Sequence, residues 1–205
     1  MKGSDRDYIF NALIKTSDLL LKECESLGEI IECPEDAVNV SKRVITHNEE
    51  ILDSVRELNF NFGDSLFEEI EARFIYLIIE AVKECSEKVE EVSRCFVRYN
   101  IDTVKDNCVS SLLDFERAAK TLNKLILKIR DRKKADPPYK YVIELEQFRV
   151  EESKIYDINV RKLFAKETDP VEIVKWERLY TAIYEVFLAY ERVSVSCAKY
   201  NLAWC

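Results

Sequence analysis

A single histidine and 39 acidic residues bound the chemistry open to this 205-residue chain. Nucleophilic catalysis by serine or cysteine needs an adjacent base, most often histidine. Only His47 is present, and it falls on an apolar stripe with Val44 and Ile51, the place of a hydrogen-bonded core histidine. A ferritin-like di-iron site takes two Glu-x-x-His motifs, which one histidine cannot supply. The seven cysteines, Cys24, Cys33, Cys85, Cys95, Cys108, Cys197 and Cys205, contain no C-x-x-C pair, so a cysteine zinc site lacks its spacing. They read as reduced core fillers. Three glycines, Gly3, Gly28 and Gly63, leave no glycine-rich phosphate loop. Carboxylates spaced i, i+4 remain. Glu80 with Glu84, Glu49 with Asp53, and Glu87 with Glu91 each share a helix face and could hold a hard cation. The same pairs also arise as ordinary solvated faces in so acidic a helical chain. The sequence therefore predicts a protein that regulates or binds and is not an enzyme.

The elements that must carry these residues are helices. Hydrophobic residues make up 47% and charged residues 34%, with only three glycines and four prolines. Folds made of many short strands consume more turn residues. A net charge of −8 disfavours a nucleic-acid partner. The basic cluster Lys128, Arg130, Arg132, Lys133 and Lys134 precedes a proline pair, where cations complement a helix C-terminus. The longest apolar run, residues 74–79, is far short of the roughly 20 residues of a spanning helix. The opening MKGSDRDYIF lacks a signal-peptide core. These features give the expectation of a cytoplasmic protein that reaches a membrane only through a partner.

Apolar residues at helical spacing mark six helices. The first carries Phe10, Leu13, Leu20, Cys24 and Leu27, and the second Val40, Val44, His47, Ile51 and Val55. Residues 59–63 read as a loop, with Asp64 capping a third helix bearing Ile70, Phe74, Leu77, Ala81, Cys85, Val89 and Phe96. Cys108, Leu112, Phe115, Leu122 and Ile129 mark a fourth, ended by Asp136-Pro137-Pro138. Leu145, Phe148, Glu152, Ile155 and Leu163 mark a fifth. Asp169-Pro170-Val171-Glu172 is the clearest helix start, with a cap, a first-turn proline and a box-like acid. The sixth helix carries Trp176, Tyr180, Ile183, Phe187 and Tyr190 as a core stripe.

A shift of 105 residues aligns the halves. Phe10 meets Phe115, Leu20 meets Leu125, Arg56 meets Arg161, Asp64 meets Asp169, and Ile78 meets Ile183. The expected architecture is all-α: two pseudo-repeated three-helix bundles of six long helices, residues 1–100 and 101–205, packed as one domain. The same shift pairs His47 with Glu152 as buried polar candidates.

The run KLFAKETDPVEIVKWERLY, within residues 142–193, resembles the last two helices of PhoU-like regulators of phosphate transport, the kind paired with PiT-type permeases. NEEILDSVRELNFNF and EAVKECSEKVEEV are similar to the other half. The resemblance implies a cytosolic accessory of inorganic phosphate uptake whose partner is a phosphate permease or phosphate-signalling protein, with a homo-oligomer compatible. Relatives in the broader group hold metal clusters on Glu/Asp-x-x-x-Asp motifs. Here only Glu80, Glu84 and Glu185 match, whereas Arg149, Ser153, Phe187 and Leu188 depart from the pattern. The resemblance thus offers a divalent or iron metal only on those three acids. Two other readings follow from the sequence: a carboxylate-rich metal-binding bundle, and a helical scaffold with no phosphate role.

Overall fold

The computed structural model describes residues 3–63, 69–131 and 138–204, without the side chain of Trp204. Six long helices account for nearly all of them: α1 (Gly3–Gly28), α2 (Ala37–Phe62), α3 (Ile70–Arg98), α4 (Asp106–Asp131), α5 (Tyr139–Lys166) and α6 (Pro170–Trp204). No strand occurs among the described residues. Short 3₁₀ turns at Glu29–Ile31 and Pro34–Asp36 join α1 to α2. Asp64, Arg132, Lys133, Lys134, Asp136, Pro137 and Cys205 lie outside the described residues.

Each helix forms because its apolar residues recur every three or four positions and must be buried together. On α1 these are Ile9, Phe10, Leu13, Leu20, Cys24 and Leu27. On α4 they are Cys108, Leu112, Phe115, Leu122, Ile126 and Ile129. α1 packs against α2, α3 and α4, while α6 packs against α3, α4 and α5. α2 also meets α3, and α5 meets α4. The pairs α1–α4 and α3–α6 join the first three helices to the last three.

The middle of the core is aromatic. Phe187 lies 5.1 Å from Phe115 and 6.5 Å from Tyr190, ring centre to ring centre. The Tyr190 hydroxyl donates to the Phe115 carbonyl at 3.3 Å and meets the Cys24 Sγ at 3.2 Å. One end of the molecule is tied by Glu71, which accepts from Arg6 Nε at 3.0 Å and from the Tyr200 hydroxyl at 2.8 Å. Arg6 also donates to the Arg130 carbonyl at 2.9 Å, supplying a partner for an end carbonyl of α4. At the other end Lys105 Nζ sits 3.9 Å above the Trp176 ring, and Asn107 donates to the Tyr180 hydroxyl at 2.9 Å.

Three local expectations change. Residues 59–62 continue α2 rather than forming a loop, and Gly63, at φ 42°, ends the helix with its N–H on the Asn59 carbonyl. Glycine tolerates that backbone where a Cβ would strain it. Ile70 and Leu77 leave the α3 stripe for the surface, because the buried row is Ala72, Ile75, Ile79 and Val82. Asp169 does cap α6, accepting from Val171 N–H at 2.8 Å. Glu172, however, turns forward to Trp176 Nε1 at 2.8 Å instead of closing a box.

Candidate interaction groove and buried polar sites

The three acids offered as metal ligands all lie where α3 meets α6, but each is already held by a cation. Glu84 accepts from Arg192 at 2.8 Å, across the two helices. Glu185 accepts from Lys88 at 2.8 Å, also across them. Glu80 lies 3.6 Å from Lys83 and accepts from the Tyr76 hydroxyl at 2.8 Å. Among the described residues no three of His, Cys, Asp and Glu converge as a metal would require. The arrangement fits an ion-pair lattice better than an oxygen-ligand cage, which needs several carboxylates aimed at one point.

The lattice frames a groove of about 590 Å³. Ala81 and Ser196 lie along it, with Leu77 and Val195 beside them. Leu77 is 52% exposed and Val195 42% exposed. Glu80, Lys83, Glu84 and Glu87 line the α3 side, and Glu191, Arg192 and Lys199 the α6 side. Glu191, on the same surface, is held by Arg149 of α5 at 3.1 Å. An apolar strip rimmed by fixed charges of both signs is what a protein partner can desolvate and orient on. Sequence periodicity missed it because Leu77 looked like core. The structural reason is a surplus: α3 carries more apolar residues than one buried face accommodates.

A second set of polar groups is buried. Glu23 on α1 is wholly buried. Its Oε1 accepts from Ser86 Oγ of α3 at 2.6 Å, and Ser86 in turn accepts from Asn48 Nδ2 of α2 at 2.8 Å. Its Oε2 has no hydrogen-bond partner among the described residues. Burial pushes the Glu23 carboxyl well above the usual range, the Ser86 hydroxyl opposes this, and nearby Glu90 adds to it. Periodicity could have revealed Glu23, since it lies three residues after Leu20 on the stripe. Glu152 is buried as expected and accepts from Ser111 Oγ of α4 at 2.7 Å. Burial pushes its carboxyl up to about 7, with Ser111 opposing and Asp114 adding.

His47 is less buried than the sequence suggested, and Asn48 occupies the core position beside it. His47 Nδ1 has no hydrogen-bond partner among the described residues, and desolvation lowers its pKa. Cys24, Cys85 and Cys197 are buried thiols raised well above the ordinary value by desolvation, and Cys95 and Cys108 rise to about 12. Thiols so held are poor nucleophiles, because the thiolate is the reactive form.

No helix among the described residues is long and apolar enough to cross a membrane. Compared with protein-family models and with curated proteins, the chain matches none.

Proposed function

We propose that the chain is a PhoU-like, non-catalytic regulator of inorganic phosphate transport, acting at the cytoplasmic side by contact with a phosphate permease or phosphate-signalling protein. The observation that carries the contact mechanism is the α3–α6 groove, where Leu77 and Val195 stand exposed between two rims that each carry charges of both signs. The phosphate assignment rests on the resemblance of the stretch around residues 162–180 to such regulators. The helix packing supports the pseudo-repeat reading. α1, α2 and α3 touch one another, α4, α5 and α6 touch one another, and the two trios meet first helix to first and third to third. That pattern is what a pseudo-two-fold pair of three-helix bundles would give, with the boundary near residue 100.

Deleting the gene and measuring phosphate uptake at low and high external phosphate tests the reading. Uptake, or its response to phosphate, changes in the deletion strain and returns with the reintroduced gene. Uptake unchanged at both levels removes phosphate from the account.

A further inference from the structure

α5 is the most lightly anchored of the described helices. Only Leu145, Glu152, Asn159 and Leu163 of its 28 residues are buried, and two of these are polar. Leu145, Glu152 and Asn159 recur every seven residues, so they form one inward row and put the carboxyl in the middle of the contact. Among the described residues, Ser111 Oγ is the one hydrogen-bond donor that meets Glu152. A second α4–α5 bond, from Thr121 Oγ1 to Glu144 at 2.9 Å, lies further along the pair.

The charges around Glu152 do not compensate it. On α4, Asp114 adds negative charge, though Arg117 holds it at 2.7 Å, and Cys108 lies nearby as a neutral thiol. On α5 itself, Arg149 is turned away to Glu191 of α6 at 3.1 Å. α6 otherwise faces this helix with Tyr184, stacked on Tyr156 at 5.0 Å, and Thr181, 3.4 Å from the Tyr156 hydroxyl. Among the described residues, an ionised carboxylate at this position would have one donor and no paired cation. Burying a charge on those terms is costly, whereas the neutral acid is tolerated.

We propose that Glu152 is a proton-controlled latch: protonated, it seats α5 on α4, and ionised, it loosens α5 from the bundle. The open form exposes the carboxyl to water, where its pKa returns to the usual carboxylate range. The closed form holds the proton up to about pH 7. Opening therefore becomes easier as pH rises from the ordinary carboxylate value to about 7, and is level above that.

Amide hydrogen exchange across residues 139–166, followed from pH 5 to 8 and corrected for the intrinsic pH dependence of exchange, reads the latch directly. In the wild type the opening constant of α5 rises about tenfold per pH unit from 5 to about 6.5 and levels off above about 7. Glu152→Gln, which stays neutral, abolishes the slope in α5. Ser111→Ala, which removes the donor that favours the charged form, moves the levelling point to higher pH. A wild-type α5 with no pH slope, the same slope in Glu152→Gln, or an unmoved levelling point in Ser111→Ala overturns the proposal.

Discussion

Glu23, Ser86 and Asn48 show how a few polar atoms tie three helices. The chain runs from the Asn48 amide to the Ser86 hydroxyl to the Glu23 carboxyl, so α2, α3 and α1 each contribute one member. Ser86→Ala strips Glu23 of its donor and should cost about 1–3 kcal/mol, measurable as a shift in urea midpoint. The carboxyl also sets a pH dependence. Its folded-state pKa is raised, so stability is greatest below the unfolded carboxylate value, about 4.3. Stability is then lost as pH rises toward the folded value. Thermal unfolding of the wild type should show a melting temperature falling from pH 5 to pH 8, with a smaller fall in Glu23→Gln. Equal falls in the two proteins would show that Glu23 does not titrate as its burial implies.

Residue-scale features were unevenly legible in the sequence. Glu152 stood out because it is an acid on the inward row of α5. Glu23 sits on an equally good inward row, but Cys24 beside it satisfies the same periodicity, and one helix turn admits both. His47 and Asn48 exchange places for a related reason. They are 100° apart on the helix, and rotation of α2 against α1 and α3, which no local pattern records, decides which faces in.

At the scale of the helix, the start of α6 was the most readable element. Asp169 caps the Val171 N–H and Pro170 occupies the first helical position, where its missing N–H costs nothing. Asp169→Ala should lower stability by about 1 kcal/mol, and chemical denaturation would measure it. The end of α2 was harder to read. Asn59 and Asn61 are poor helix formers, yet the helix runs on to Phe62. Asn61 Nδ2 donates to the Tyr8 hydroxyl at 2.9 Å, and the Phe62 ring packs 5.4 Å from that of Tyr8, so contacts with α1 hold the last turn. Tertiary contacts of this kind override propensity and leave no local signature.

At the scale of the whole molecule, the all-helical class was legible from composition and period alone, but the side chains that join one helix trio to the other were not. Phe187 bridges α4 and the middle of α6 through Phe115 and Tyr190. Phe187→Ala should therefore cost about 3–5 kcal/mol, read by calorimetry. The ion pairs across the α3–α6 surface are part exposed, and exposed pairs contribute about 0–1 kcal/mol each. They frame the groove and add little to stability. From the sequence Glu80, Glu84 and Glu185 read as three scattered acids; Lys83 beside Glu80 is a same-helix neighbour, but the cations of Glu84 and Glu185 were not legible. Arg192 and Lys88 come from the opposite helix, and only the fold brings them within reach.

The central claim, that this bundle regulates phosphate transport through its α3–α6 groove, is tested most directly by phosphate uptake in a deletion strain complemented with wild type or with Leu77→Glu combined with Val195→Glu. Both side chains are exposed, so each change should alter stability by no more than about 0.5 kcal/mol, verified by thermal unfolding of the purified variant. The wild-type gene is expected to restore the uptake response, and the folded double variant is expected not to. Restoration by the double variant would contradict the groove as the contact surface, and an uptake response that never depended on the gene would contradict the phosphate role itself.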